Sequence, residues 1–272
     1  MEEFILDPTT ITLINLQAFL LVLFRVAGVV EVLPILGAQN VPRQVKVWLA
    51  FFVSVVVFGV VRNTVPLPVM PQSIGIFLFA AWTEFILGIM IGMVGSMLLT
   101  GFQVGGRLVS DQLGFSLADI VDPISNQSIS ITSQMIYMCA TLLFLVLGGL
   151  GMVLVVLSKS FEIVPPIAFQ LNDGVASLLL YRIAPQIFVL GVTFAAPVVI
   201  VVLLSTVGLG LVGKVVPEMN IFSFSFGVRV FLGLIMLVLS VKNMPGMLEN
   251  LTDGTYYYLR EMLQLARGNP SG

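Results

Sequence analysis

The chain has 272 residues, of which 58% are hydrophobic and 10% charged, with a formal net charge of −2 and no histidine. Soluble domains carry about a quarter charged residues, so this composition excludes a water-soluble monomer and points to an integral membrane protein. It also excludes the basic footprint that nucleic acid requires, and the missing histidine removes the commonest metal ligand and catalytic base.

The first residues, MEEFILD, are acidic. A secretory signal begins with a positive region, so no cleaved signal is expected and insertion falls to the first apolar helix. Six apolar runs follow, at 11–36, 45–61, 74–100, 131–158, 183–213 and 220–241. Most approach the roughly 20 residues that span a bilayer as a helix. The second is short, since about fifteen apolar residues rise only about 23 Å. The breaks carry turn chemistry: GAQNVPR at 37–43, three prolines (Pro66, Pro68, Pro71), then Pro165-Pro166, Asn172-Asp173-Gly174 and Gly213 to Pro217. The expected fold class is all-α, with about six long apolar helices, some broken or kinked, and a C-terminal amphipathic helix.

Several charges interrupt the runs. Arg25 and Glu31 lie in the first, Glu84 in the third and Arg229 in the sixth. Each would cost roughly 2.5–3.5 kcal/mol facing lipid at a helix centre, so each is expected to face protein or water. Arg25 and Glu31 are six residues apart, on different helix faces, and cannot pair with each other. Arg25 with Glu84 is the plausible inter-helix pair; the alternative puts Arg25 and Glu31 near helix ends, reaching for water. Loop charges show no positive-inside bias, with Arg43, Lys46, Arg107 and Lys214 on one side and Arg62, Lys159 and Arg182 on the other. These helices are therefore not expected to be simple spans.

Gly88, Gly92 and Gly95 recur at i, i+4 and i+7 and form one small-residue face, suited to close helix packing in membranes. Gly101, Gly105 and Gly106 follow, and Gly208, Gly210 and Gly213 make a second small-residue patch. Arg107 to Pro123, RLVSDQLGFSLADIVDP, is too polar for its surroundings. It carries Asp111, Asp119 and Asp122, yet alternates them with Leu113, Phe115, Leu117 and Ile120. A half-apolar segment of this kind packs against something, and the reading is a loop placed in a pore. Cys139 sits in an apolar run and reads as a small buried hydrophobe. After Pro245 the apolar residues Leu248, Leu251, Tyr258, Met262 and Leu265 recur at helical spacing. That pattern predicts an amphipathic helix at a partner or membrane surface, with a simple packing helix as the alternative.

No phosphate-binding loop, no H-E-x-x-H and no serine with a plausible base occurs in the sequence, so neither enzyme chemistry nor a cofactor is expected. An ion-coupled small-solute transporter using Arg25, Glu31, Glu84 and the loop aspartates is the competing reading. Such transporters often show internal repeats with broken helices at matching positions, and no convincing repeat is present.

Several motifs then occur in order. They are Arg25-Val-Ala-Gly, Pro34, Val41-Pro42-Arg43-x-Val-Lys46, Glu84 with Gly88, and Gly105-Gly106. Next come Gly114-Phe115-Ser116-x-Ala118, Asp122-Pro123, Leu143-Phe144 with a glycine pair, Ser160-Phe161-x-x-x-Pro165, and Val216-Pro217-Glu218-Met219-Asn220-Ile221-Phe222. Together they make the chain similar to the R subunit of the flagellar type III protein-export gate, the FliR family, whose injectisome relatives are similar. One departure is Glu218, which stands where the family pattern has glutamine.

The resemblance implies a structural and gating subunit in the bacterial inner membrane at the flagellar basal body, required for flagellum assembly. It implies a hollow helical hetero-oligomer with P-type and Q-type subunits, contact with B-type and A-type export subunits of the same apparatus and with membrane lipid, and passage of unfolded export substrates. It divides the chain into a P-like part, 1–182, and a Q-like hairpin with tail, 183–272. It makes Gly106, Arg107, Asp111, Gly114, Phe115, Ser116, Leu117, Asp119, Asp122 and Pro123 a plug loop inside the channel. Pro217, Glu218, Met219, Asn220 and Phe222 become a subunit-packing turn.

Overall fold

A membrane leaves no water for unpaired backbone groups, so a chain this apolar must satisfy them within its own helices. The computed structural model describes residues 8–33, 41–64, 71, 73–115, 130–215 and 221–267, and every described element is helical. The order is α1 (Pro8–Val32), α2 (Arg43–Thr64), α3 (Ile74–Leu113), α4 (Ile131–Val146), α5 (Gly149–Ile163), α6 (Asp173–Ser177), a π-helical turn (Leu178–Ile183), α7 (Ala184–Val215) and α8 (Ile221–Ala266). Five helical stretches are long and apolar enough to cross a membrane. The bent pair α4–α5 would make a sixth.

Three boundaries differ from the sequence reading. The fourth run is broken: Leu147 and Gly148 bond back to Leu143 and Leu145, Gly148 takes φ +79°, and α5 leaves α4 at 66°. Positive φ suits a residue without Cβ. The third run continues to Leu113. There Gly114 at φ +83° and Phe115 bond back to Asp111 and Ser110, a Schellman ending. The sixth run, expected over 220–241, and the amphipathic helix expected after Pro245 are one helix: α8 runs 46 residues with Pro245 inside it. Two local caps are formed by side chains. Ser130 accepts from Ser133 N–H ahead of α4, and Asn172 accepts from Val175 N–H ahead of α6.

The chain forms two compact units, each discontinuous in sequence. The first comprises 1–96, 150–181 and 254–272. In it α1 and α3 cross with almost no side chain between them. A Cβ added at Gly88 would collide with the Arg25 carbonyl, and one at Gly28 with the Phe85 carbonyl. A Cβ at Gly92 would lie 3.0 Å from Val29 O, whereas one at Gly95 would rest at 3.8 Å from Leu33. Phe19 sets edge-on against Phe51 and Phe58 of α2. Leu21, Ala80 and Ala81 make a small core with Phe77 and Ile167.

The C-terminal part of α8 belongs to this first unit. Leu259, Met262, Leu263 and Ala266 are buried at i, i+3, i+4 and i+7. Gln170 N–H donates to Ala266 O, Asn172 Nδ2 to Leu265 O, and Lys159 Nζ to the Tyr256 hydroxyl. The tail expected at a partner or membrane surface thus has its apolar face occupied by its own chain.

The second unit comprises 97–149 and 182–253. Glycines again set the helix spacing: a Cβ at Gly105 would sit 2.8 Å from Gly191 O, and one at Gly106 2.8 Å from Ser133 Cα. Ser133 Oγ donates to Gln103 O at 2.8 Å, and Phe102 meets Phe194 edge-on at 5.4 Å. Val109 and Leu113 of α3 pack with Ala195, Val198 and Val202 of α7. At Gly208 and Gly210 a Cβ would meet open space, so that small-residue patch packs against nothing in the described chain. Cys139 is exposed, contrary to the sequence reading. The buried face of α4 is Ser133, Ile136, Ala140 and Phe144, and residue 139 falls off that face, on its flank.

Candidate functional site

Four charges or charge pairs were expected to be buried, and the structure treats them differently. Arg25 and Glu84 are both fully buried, with Nε–Oε2 at 2.6 Å. The other arms of the guanidinium are also engaged: Nη1 donates to Ser160 Oγ at 3.1 Å and Nη2 to Val164 O at 3.0 Å. The Phe161 ring lies 3.9 Å from Cζ, near enough for a cation–π contact. The second carboxylate oxygen of Glu84 accepts from Ile167 N–H at 2.9 Å.

This network sits where the backbone cannot look after itself. Pro165-Pro166 ends α5, leaves Val164 O without a helical donor, and puts Ile167 at φ +74°, a conformation that β-branched residues rarely take. The ion pair supplies a donor to one side of that break and an acceptor to the other. Its charges cancel, it is sealed from solvent, and its chemistry is to hold three segments of chain in register. A proton or ion path would need a carboxylate with access to water, which Glu84 lacks.

Glu31 is not buried. It lies in the last turn of α1, exposed, with Lys46 Nζ at 3.5 Å. The helix ends at Val32, one residue later, so the carboxylate reaches solvent instead of crossing a core. Arg229 is half-buried, and its Nε has no hydrogen-bond partner among the described residues.

The stretch expected as a loop from Arg107 to Pro123 begins as helix. Gly106, Arg107 and Asp111 all lie in α3. Arg107 and Asp111 form an i,i+4 ion pair at 3.4 Å on the exposed side, while Val109, Ser110 and Leu113 are buried on the other. That amphipathic division carries the helix three turns past the apolar run. Gly106 packs closely against α4. Gly114 and Phe115 form the turn that ends α3, with Phe115 packed partly buried beside the Val109–Val202 core. Ser116, Leu117, Asp119, Asp122 and Pro123 lie outside the described residues. So do Pro217, Glu218, Met219 and Asn220 of the expected packing turn; Phe222 falls in the first turn of α8.

The sequence reading missed Ser160, Val164 and Ile167 as partners of the buried pair. The double proline was the available signal, because it strands a carbonyl and an amide that must find partners elsewhere.

Comparison with known proteins gives this arrangement its context. Residues 16–255 match the family model described as bacterial export proteins, family 1. The chain is 26% identical over 253 residues to the flagellar biosynthetic protein FliR of Bacillus subtilis, covering 91% of this chain and 95% of that protein. It is 30% identical to FliR of Caulobacter vibrioides, covering 82% and 87%, and 25% identical to FliR of Escherichia coli, covering 89% and 90%. A match over residues 16–255, which takes in the buried pair and parts of both compact units, shows that the chain belongs to the bacterial export proteins, family 1, and within it to the FliR family.

Proposed function

We propose that this chain works as the R-type subunit of a flagellar protein-export gate in the bacterial inner membrane. The observation that carries the reading is family membership over nearly the whole chain, residues 16–255, joined to five helical stretches long and apolar enough to span a membrane. The chain is a membrane component of the flagellar export apparatus and serves flagellum assembly.

The finer assignments extend that reading. The segment after Phe115, with Ser116, Leu117, Asp119, Asp122 and Pro123, acts as the plug that closes the channel at rest, and Gly114 and Phe115 are its root. Apolar side chains there seal by excluding water. The chain divides into a P-like part, 1–182, and a Q-like part, 183–272, and the π-helical turn at Leu178–Ile183 falls at that join. Pro217 to Asn220, with Phe222, forms the turn that packs on a neighbouring subunit. P-type and Q-type subunits are the partners in the ring, the B-type and A-type subunits work at its base, and unfolded export substrates pass through. The chain's contribution is structural and gating, with no catalysis assigned.

The broad exposed apolar faces suit burial in such an assembly or in lipid. Trp48, Phe52 and Val56 on α2 and Phe188, Val192 and Leu204 on α7 are all more than half exposed. The test is deletion of residues 116–122, which leaves α3 and its Schellman ending whole. Coexpressed with P-type and Q-type subunits, the variant is expected to enter a complex of unchanged mass by native mass spectrometry and to make the membrane leak ions. A complex that forms and stays tight would remove the plug role. A chain that never joins those subunits would remove the gate reading itself.

A further inference from the structure

In the first unit, α5 and the C-terminal part of α8 enclose a groove of about 310 Å³. Its floor is apolar: Val156, Leu259 and Leu263 are almost fully buried. Its rim carries Lys159 and Glu162 from α5, and Tyr256 and Arg260 from α8. These stand at i, i+3 and i, i+4, so each pair lies on one side of its helix. The walls are tied together. Lys159 Nζ donates to the Tyr256 hydroxyl at 3.0 Å, and Gln170 N–H and Asn172 Nδ2 hold the end of α8.

The rim charges do not satisfy one another. Lys159 uses one of its three donors on Tyr256. Neither the Arg260 guanidinium nor the Glu162 carboxylate has a hydrogen bond or ion pair among the described residues. Two cations against one carboxylate favour an anion in the groove. The guanidinium fork and the ammonium suit phosphate oxygens. The unpaired carboxylate then offers a place for a cation carried on the same ligand. Ligand pockets run from about 300 to 1,000 Å³, so this groove takes a small polar group.

The surroundings indicate where that group comes from. Val155, one turn before Lys159 on the same side of α5, is 50% exposed, and Tyr257 beside Tyr256 is 62% exposed. Tyrosines with one wet end suit the membrane–water interface, and basic pockets between helices at that level take lipid headgroups. An acyl chain would run from the groove along the Val155 side of α5.

We propose that this groove binds a phospholipid whose headgroup is a phosphate diester bearing a primary ammonium, as in phosphatidylethanolamine. The phosphate lies between Lys159 and Arg260, and the ammonium donates to Glu162. The inference rests on the membrane location of the chain and not on its gating role.

The test is native mass spectrometry of the full chain in mild detergent, supplied with phosphatidylethanolamine or phosphatidylglycerol of identical acyl chains. The parent should retain one phosphatidylethanolamine, in preference to phosphatidylglycerol by about tenfold. Arg260→Gln should lower retention of both by about tenfold, the loss of a charge-assisted hydrogen bond. Glu162→Gln should abolish the preference and leave phosphatidylglycerol retention undiminished. Lys242→Gln, a change outside the groove, should alter neither. Arg260 and Glu162 make no described contact, so both variants should unfold at the parent's midpoint. Coexpressed with P-type and Q-type subunits, the chain should keep its lipid in the complex. Equal retention by parent, Arg260→Gln and Glu162→Gln, or no headgroup preference in the parent, would overturn the proposal. So would displacement of the lipid by soluble glycerophosphoethanolamine or inorganic phosphate at equal concentration. Loss of the lipid on assembly would assign the groove to a neighbouring chain and overturn it as well. Failure of the chain to join those subunits, with the lipid still bound, would count against the gate reading and leave the lipid site supported.

Discussion

Replacing Arg25 by Met should be among the most damaging single changes in the chain. The substitution keeps the volume and removes the guanidinium, so it leaves Glu84 fully buried with one remaining partner, Ile167 N–H. It also orphans Val164 O and Ser160 Oγ as acceptors. Breaking a buried ion pair from one side costs about 3–5 kcal/mol, chiefly because the surviving charge is uncompensated. Removing both charges with Glu84→Leu in addition should recover most of that electrostatic penalty. It should not restore the parent, because Val164 O and Ile167 N–H then both lack partners, at about 1–3 kcal/mol each. The expected order of stability is parent, then Arg25→Met/Glu84→Leu, then Arg25→Met.

Glu84→Gln separates the two effects. The amide oxygen can still accept from Ile167 N–H, but Arg25 loses its counter-charge. The assay is reversible unfolding of the full chain in mixed detergent micelles, with helicity as the signal and a double-mutant cycle to extract the coupling. If Arg25→Met unfolds at the parent's midpoint, the pair is not holding the fold. If the double variant regains full stability, the backbone-bridging role at the Pro165-Pro166 break is wrong and only charge balance matters.

The remaining predictions concern backbone positions and surface charge. Gly88→Ala should fail to accumulate in membranes, since its Cβ meets the Arg25 carbonyl, while Gly95→Ala, with 3.8 Å of room, should accumulate at the parent level on immunoblots. Gly114→Ala should destabilise by about 1–2 kcal/mol through its positive φ, with Gly114→Asn milder, both read from the same unfolding assay. Arg107→Ala should shift that midpoint by no more than about 0.5 kcal/mol, because the Arg107–Asp111 pair is exposed at both ends. A larger shift would refute the reading of Arg107 as an exposed side chain of small energetic weight.

The helices were legible because apolar length is the strongest signal in a membrane chain. Arg25 and Glu84 could be matched from sequence for a related reason: an isolated charge in such a run needs an opposite one, and few are available. The end of α3 was misread because polarity was taken to mean loop. Arg107 and Asp111 are four apart, as are Val109 and Leu113 on the opposite side, and that double spacing is helical. For Glu31 the sequence left two readings, a buried charge or one near a helix end, and Pro34 two residues past the helix end is the signal for the second. The partners Val164 O and Ile167 N–H are backbone atoms, which no residue-type pattern can name. Nor does periodicity reveal which helix a glycine face will meet; Gly88 and Gly92 proved to lie against α1 of the same chain.

The buried pair also dictates an order of events during synthesis. Arg25 and Glu84 are 59 residues apart, and Ser160 and Val164 follow Arg25 by 135 and 139 residues. At about 5–20 residues per second, the first helix leaves the ribosome roughly 7–28 s before Val164 does. For that interval an arginine that ends up with no contact with water waits inside or beside the membrane without its full set of ligands. The nascent chain must therefore hold its first helix at the insertion machinery or the interface until α5 arrives. The penalty for premature release into lipid is set by the same side chain that later locks the unit together.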